Sequence, residues 1–371
     1  MSLWLKGLMR KKSIDNKNYF YYTLKLTITI KLSLNTGLIM VVTQKDIARR
    51  LNVSVMTVSK ALQNHPDISK KTIQLVQETA REMNYSVNVV ARSLVQKRTR
   101  TIGILVPDIS ESFYAEIVRG AASEARKNDY TILLADSNND PDLENEALHA
   151  MIEKRVDGML IGPTEQSSHC VEFLRTIKNP FVIINSEPFD LNADSITVDR
   201  ANGALQAVQY LLGKGFQDIY FLYTFKHMEQ SKQSIEGCKK AFGECGKSVE
   251  ELHLLYCENH EMETFYSTAK EKIRYQGRRM GIFVWDDEMA VGVLRAVTEK
   301  NWQIPDQAGI IGFDDIKISR YLSKALTTVF YPKFEMGQQG VKLLIQRLRD
   351  EQDLPVRKIY LPLELRKRET A

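Results

Sequence analysis

Residues 43–62, TQKDIARRLNVSVMTVSKAL, hold two short helical patterns joined by a turn so brief that the helices must pack against each other. Thr43 is placed to cap the first helix, and Asp46 sits three residues on, where it completes a capping box and meets the positive helix end. Ile47, Ala48 and Leu51 share one face. Asn52 tolerates the left-handed conformation that ends a helix, Val53 turns inward, and Ser54 is placed to cap a second helix running to Leu62. In that helix Val58, Ala61 and Leu62 point inward, which leaves Val55, Met56, Ser59, Lys60 and Gln63 outside. This is the spacing of a helix-turn-helix, whose second helix can offer its N-terminal residues to base edges in a major groove. A third helix is predicted over residues 69–83, capped by Ser69 and carrying Ile73, Val76, Ala80 and Met83 at helical spacing, to close a three-helix core. The same spacing also suits a small helical hairpin inside a larger domain, so further features must decide.

Charge is divided sharply along the chain. Residues 41–100 hold eleven Lys or Arg against four Asp or Glu, residues 1–40 hold seven against one, and residues 101–371 hold thirty-three against forty-one. A basic module therefore precedes an acidic body. Its cations are candidate phosphate partners that give affinity and salt dependence without sequence information, although any one of them alone reads as a solvated surface charge.

Residues 88–95 fit a very short helix capped by Asn88, with Ala91, Leu94 and Val95 apolar. Eight residues do not hold a helix alone in water. A segment of this kind can fold on DNA, pair with a symmetry mate and press Leu94 between base steps in the minor groove, or it can be an ordinary linker.

Beyond it strands and helices alternate. Strands are predicted over 101–106, 130–135, 158–161, 181–184, 219–223, 281–284, 309–312 and 356–360, and helices over 113–128, 144–154, 201–212, 231–244, 287–300 and 334–349. Repeated βαβ units imply parallel sheets covered by helices on both faces. About 270 residues exceed one comfortable core, so two lobes with a cleft are expected.

In the first part of the chain VSVMTVSKAL, HPDIS, MNYSVN and ARSL, and in the body IGILVPD, VDGMLIGP, NGALQAVQYLLGKG, WDDEMAVGVLRAV, IIGFDD and LTTV, occur in the order seen in the lactose repressor and galactose repressor family of bacterial transcription regulators. The chain resembles that family from about residue 42 to 368. The resemblance implies an all-α helix-turn-helix head and an α/β two-lobed, periplasmic-binding-protein-like domain built on two doubly wound parallel sheets. It further implies a homodimer on double-stranded operator DNA and a small sugar-like effector in the cleft that sets DNA affinity. The expected divisions are an extension over 1–40, disordered or upstream of the true start with Met40 an alternative first residue, then a head over 41–86 and a hinge over 87–99. A body over 100–368 follows, with a first lobe of about 100–199 plus 332–355 and a second of about 200–331 plus 356–368.

By that resemblance Ser54, Val55, Met56, Ser59 and Lys60 match the recognition helix, Asn88 the hinge cap and Leu94 the intercalating leucine. Thr43, Thr57, Gln63, Ser69 and Thr72 complete the DNA-facing candidates. Val55 and Met56 are apolar where relatives place hydrogen-bonding side chains, so reading there leans on thymine methyls and DNA shape. For the effector, Phe113 and Tyr114 follow the first strand and suit stacking on a sugar or base face. Asn185, Asp286, Asp287 and Asp314 fall at strand ends, where ligands sit in open α/β sheets. Carboxylates there accept hydroxyl hydrogen bonds, and Asp314 is the preferred single residue, since Asp287 also reads as a helix cap. Ser234 stands where such regulators commonly carry an arginine, Tyr331 lies at the lobe crossover, and His260 reads as a surface turn residue near the cleft rim.

No nucleophile elbow, phosphate loop, GxGxxG or HExxH pattern occurs, so an enzyme is not expected, nor a metal or cofactor. Four cysteines without a CxxC suit reduced thiols in a bacterial cytoplasm. An apolar stretch at 19–42 is interrupted by Lys25 and Lys31 and has no cleavage site, which disfavours the alternative of a secreted sugar-binding protein without a transcriptional role and argues against a membrane partner. If the hinge reading holds, Leu94→Ala should lower operator affinity and reduce DNA bending in a gel-shift assay with permuted fragments. Unchanged bending would remove the wedge.

Overall fold

The computed structural model describes residues 42–85, 98–164, 168–187, 191–349 and 355–371. The expected extension over 1–40 and the hinge with Asn88 and Leu94 lie outside the described residues. The described chain forms two compact units, a head and a body, each taken by itself.

The head is three helices, α1 (Gln44–Leu51), α2 (Val55–Leu62) and α3 (Lys70–Glu82). Each start is fixed locally. The Asp46 carboxylate accepts from the Thr43 amide at 2.9 Å and its hydroxyl at 2.6 Å. Ser54 and Ser69 accept from the amides of Thr57 and Thr72 at 3.0 and 3.2 Å. Asn52 ends α1 in the left-handed region, with φ 52°. Ile47, Ala48, Val58, Ala61, Val76 and Ala80 form the buried core, to which Leu62 contributes from its edge.

The body holds two six-stranded sheets. The first is made of β1 (Thr101–Val106), β2 (Thr131–Asp136), β3 (Gly158–Ile161), β4 (Phe181–Ile184), β5 (Asp194–Val198) and β11 (Lys358–Leu361), in the order β11-β5-β4-β3-β1-β2, all parallel. The second is made of β6 (Asp218–Tyr223), β7 (Leu252–Tyr256), β8 (Met280–Val284), β9 (Ala308–Asp314), β10 (Thr327–Phe330) and β12 (Glu364–Arg366), in the order β12-β10-β9-β8-β6-β7. Only β12 in that sheet runs antiparallel to its neighbour. The two orders are the same pattern used twice, which is the doubly wound arrangement expected for each lobe.

Helices α4 (Ser112–Lys127), α5 (Pro141–Glu153) and α6 (Ser168–Thr176) belong to the first lobe, and α8 (Glu229–Glu244), α9 (Met262–Lys272) and α10 (Asp287–Glu299) to the second. Two further helices exchange sides. From β5 the chain crosses to the second lobe, where α7 (Arg200–Gly213) packs on α8; from β10 it returns, and α11 (Lys333–Arg349) packs on α4. A third crossing, β11 to β12, divides a segment expected whole in the second lobe. Lys358 to Leu361 pair with β5 in the first sheet, and only β12 joins the second. The segment's alternating side chains fit an edge strand of either sheet, so its sequence does not choose between them.

The exchanged helices approach closely enough to need glycine. A Cβ on Gly120 of α4 would lie 2.0 Å from the Phe334 carbonyl oxygen, and one on Gly337 of α11 would lie 2.0 Å from that of Ile117. The second lobe repeats the device, with Gly237 of α8 facing the Ala201 carbonyl at 2.0 Å. Gly120→Ala should therefore force the helices apart and lower unfolding free energy by about 1–3 kcal/mol in urea titration. A loss below about 0.5 kcal/mol would show that the crossing relaxes.

Candidate functional site: an interlobe cleft and a DNA-facing helix

The cleft lies at the carboxyl ends of the body's strands, beside the point where each strand order reverses, which is where open α/β sheets hold ligands. Glu111, Phe113 and Tyr114 come from the start of α4, Asn185 from the end of β4, Trp285 and Asp286 from the end of β8, and Asp314 from the end of β9. Several of these turns are left-handed at residues other than glycine, with φ 59° at Asn185, 49° at Phe225 and 103° at Asp314. Backbone held in such regions gathers where side chains must be aimed.

Asp314 is buried and its Oδ1 has no hydrogen-bond partner. Burial pushes its carboxyl up to about 7, with Lys333 and Arg200 opposing and Asp286 and Glu111 adding to the rise. Lys333, itself buried, donates to the Asp314 carbonyl oxygen and so fixes the backbone rather than the carboxylate. The next residue takes the ion pairs: Asp315 binds Arg320 at 2.9 Å and Arg368 at 2.5 Å.

Asp286 and Asp287 divide their labour. Asp286 lines the cleft and is also the cap of α10, accepting from the Met289 amide at 2.8 Å through Oδ1. Asp287, expected in the cleft or as that cap, is neither. It is fully buried and accepts from the Ile316 amide at 2.9 Å and from the hydroxyls of Ser319 and Thr328 at 2.5 Å, tying α10 to the segment that follows β9 and to β10 itself. Burial holds its carboxyl well above the usual range. At the first position of the helix its side chain turns back toward the sheet.

His260, expected at the surface, is drawn into the cleft. Its Nε2 meets Asp286 and its Nδ1 lies 3.2 Å from Glu111, so the imidazole bridges the two lobes. Burial opposes its charge, but the two carboxylates outweigh burial and lift the imidazole to about 11. Two more bonds join the lobes: Ser112 donates its hydroxyl to Glu288 at 2.7 Å, and Gln230 donates to the Asn185 carbonyl at 3.0 Å.

The remaining expected residues separate into wall and support. Phe113 and Tyr114 line the cleft edge to face, 5.0 Å apart. Asn185 donates to the Tyr114 hydroxyl at 3.2 Å and accepts from that of Tyr331 at 2.7 Å. Tyr331 does not reach the cleft; it is fully buried behind it, 4.9 Å from the Phe113 ring. Ser234 also stays out, because its hydroxyl donates to the Gln230 carbonyl one turn back, at 2.9 Å.

Nothing in the sequence around Arg200 singles it out as a cleft residue. It follows the crossover from β5, lines the cleft, and places its guanidinium carbon over the rings of Trp285 and Phe313, 4.4 Å from each centroid. Its Nη2 donates to the Trp285 carbonyl at 3.3 Å, and its Nε has no partner. Only its place immediately after a lobe crossing could have marked it.

On the head, Met56 is 70% exposed and Val55 is exposed beside it at the start of α2. Most nearby polar groups are already committed. The Ser54 and Thr57 hydroxyls bond each other at 2.8 Å, as do those of Ser69 and Thr72, and Lys60 donates to Asp67 at 2.9 Å. Gln63 is exposed beyond the helix end and Ser59 is half-buried. Among the described residues no helix is long and apolar enough to cross a membrane and no cluster of His, Cys, Asp and Glu suits a metal ion.

Residues 43–88 match the family described as bacterial regulatory proteins, lacI family, and residues 208–371 match the periplasmic binding protein-like domain. The chain is 32% identical over 327 residues to the HTH-type transcriptional regulator RegA of Clostridium saccharobutylicum, spanning 88% of this chain and 98% of that protein. A LacI family transcriptional regulator from Enterococcus faecium, solved with bound ribose, is 29% identical with a TM-score of 0.65, over 73% of this chain and 98% of the other. The lac repressor dimer bound to operator and the anti-inducer ONPF is 23% identical with a TM-score of 0.78, over 89% and 98%, a likeness of fold.

The cleft's unpaired carboxylate gives a pH signature. Below about pH 4 Asp314 is protonated folded and unfolded, so it costs nothing. As pH rises from about 4 to about 7 the unfolded chain releases this proton and the folded chain keeps it, so stability falls; above about 7 the full cost stays. Asp314→Asn should therefore stabilise the ligand-free protein above pH 7, by up to about 4 kcal/mol, and the gain should vanish near pH 4. Parallel denaturant curves for the two proteins at pH 4 and pH 8 would reverse this reading if the pH 8 gain were absent.

Proposed function

The chain belongs to the lacI family of bacterial regulatory proteins, DNA-binding transcriptional regulators rather than enzymes, and on that premise we propose that it is a homodimeric repressor whose DNA affinity is set by a sugar or sugar derivative in the interlobe cleft. The observation that carries this reading is Asp314, a buried carboxylate with an unused acceptor among aromatic walls, at the end of a strand. A protein gains nothing in stability from such a group. A ligand hydroxyl supplies the missing donor. The ribose-bound Enterococcus faecium relative supports the same ligand class.

Two heads on a pseudopalindromic operator make dimerisation part of affinity. The exposed Val55 and Met56 favour half-sites that present thymine methyls, while the basic residues of the head supply the phosphate contacts. In the body, the bridges Glu111–His260, Ser112–Glu288 and Asn185–Gln230 already join the lobes. A ligand contacting both lobes adds to those bridges in one lobe arrangement and not in another, and only that difference in affinity moves DNA binding. In this account the protein works in the bacterial cytoplasm, associated with the nucleoid when it holds its operator.

Selection of genomic fragments by the full chain should enrich a twofold-related site; a site without symmetry would sink the dimer assignment. A thermal-shift screen of sugars should then find a compound that stabilises the wild-type protein, by about 2.7 kcal/mol at a hundredfold excess over Kd, and changes operator affinity. Asp314→Ala should lose most of that stabilisation. Equal stabilisation of both proteins would take Asp314 out of the site.

A further inference from the structure

Two buried polar atoms of opposite sense stand unpaired in the same cleft: Nε of Arg200, a donor, and Oδ1 of Asp314, an acceptor. No ion pair joins the two residues, so they do not satisfy each other, although they line one space. The Arg200 guanidinium carbon sits over the rings of Trp285 and Phe313, 4.4 Å from each centroid. Two such contacts hold the cation in place, and what it can offer a ligand is its uncommitted N–H groups. Its Nη2 is committed to the Trp285 carbonyl. Asp314 is held just as firmly by its left-handed backbone and by Lys333 on its carbonyl.

The charges around the cleft are nearly balanced before anything enters. Glu111 and Asp286 both turn to His260, Asp314 is the third carboxylate, and Arg200 and His260 are the cations of the lining, with Lys333 behind it. The lining's three carboxylates outnumber its two cations, so a phosphate or a carboxylate entering beside Asp314 would meet like charge and be drawn from water without repayment. A neutral group with one hydrogen to give and one lone pair to accept fits both orphans at once. Neighbouring hydroxyls supply that pair.

We propose that Arg200 and Asp314 form a donor–acceptor pair that selects an uncharged ligand bearing adjacent hydroxyls, with Arg200 as a specificity-determining residue of the cleft. The proposal rests on the sugar-effector reading above and narrows it to unphosphorylated, non-acidic sugars. One hydroxyl donates to Asp314 Oδ1, and its neighbour accepts from the guanidinium edge.

The test measures binding to the full-length protein by calorimetry, with ribose, xylose, glucose and galactose, their 2-deoxy forms where these exist, ribose 5-phosphate, glucose 6-phosphate and gluconate as probes. A neutral sugar should bind the wild-type protein. Arg200→Met should weaken it by about 10- to 100-fold, the size expected for a lost charge-assisted hydrogen bond. Arg200→Lys, which keeps the cation and part of the packing, guards against a misfolded methionine variant and should also bind more weakly. Removing the contacted hydroxyl from the sugar should weaken binding to the wild type about as much as Arg200→Met does, and should cost the Arg200→Met protein little, because the two changes break one interaction. Binding of phosphates or gluconate in place of neutral sugars would overturn the proposal and leave a ligand-gated regulator standing. Equal affinity of wild type, Arg200→Lys and Arg200→Met for a neutral sugar would remove Arg200. Binding of no probe at all would overturn the proposal together with the sugar reading beneath it.

Discussion

The arrangement of the body turns on one buried carboxylate left without a partner. An unpaired acceptor in a dry site costs free energy, and a chain free to move would rotate it into solvent or close an ion pair on it. Asp314 is prevented from doing either. Its φ of 103° and the lysine on its carbonyl fix where its side chain points, and the nearby arginines Arg320 and Arg368 are spent on Asp315. The sheet thus bears the expense of keeping an acceptor available, and the neighbouring Asp287, with three donors, shows what an aspartate looks like here when its role is to hold the fold together.

That acceptor has meaning only because a second lobe faces it. The two sheets repeat one strand order, and each receives a helix from the chain that crosses over: α11 lies against α4 and α7 against α8. Glycines at both crossings let the backbones meet, so each exchanged helix is seated rigidly on its host lobe. The crossing strands carry the chain from one lobe to the other. Tyr331 sits on one of them, fully buried, and its hydroxyl reaches the Asn185 side chain, which also meets Tyr114 at the cleft wall. A change in the angle between lobes must disturb this chain of bonds, and the His260 bridge with it.

Local signals in the sequence were readable because they act over three or four residues. Thr43, Ser54 and Ser69 fall at helix starts, and Asn52 ends a helix in the left-handed region. The alternation of strand and helix gave the parallel sheets, and Asp314 was legible as a polar residue ending an apolar strand. What could not be read depends on distance in sequence. Glu111 and His260 are about 150 residues apart, and nothing near either one announces the other. Asp286 and Asp287 are adjacent and alike, yet the first is the extended cap of α10 and faces the cleft while the second is the helix's first residue and turns to the sheet. Arg200 belongs to the second lobe's first helix by sequence order but serves the space between lobes. The short strands β5, β7, β10 and β12 escaped because three to five residues at a sheet's edge or crossover carry too little periodicity.

The head and the cleft solve recognition in opposite ways. Around the start of α2 the hydroxyls of Ser54 and Thr57 bond each other and Lys60 is held by Asp67, so the parts standing free at the tip are the methyl and thioether groups of Val55 and Met56. In the proposed function such a surface distinguishes DNA by methyl contact and by shape, and apolar contact of this kind has little directional demand. The cleft instead holds Arg200 with Trp285 and Phe313 and Asp314 with its backbone and Lys333, and leaves one directional atom of each without a partner. A directional pair rejects a ligand lacking its counterpart far more sharply than an apolar wall does, since a failed match leaves buried polar atoms unpaired. Under the function proposed above, discrimination is therefore steeper toward the small molecule than toward the individual base, and the operator's specificity is gathered from two half-sites acting together.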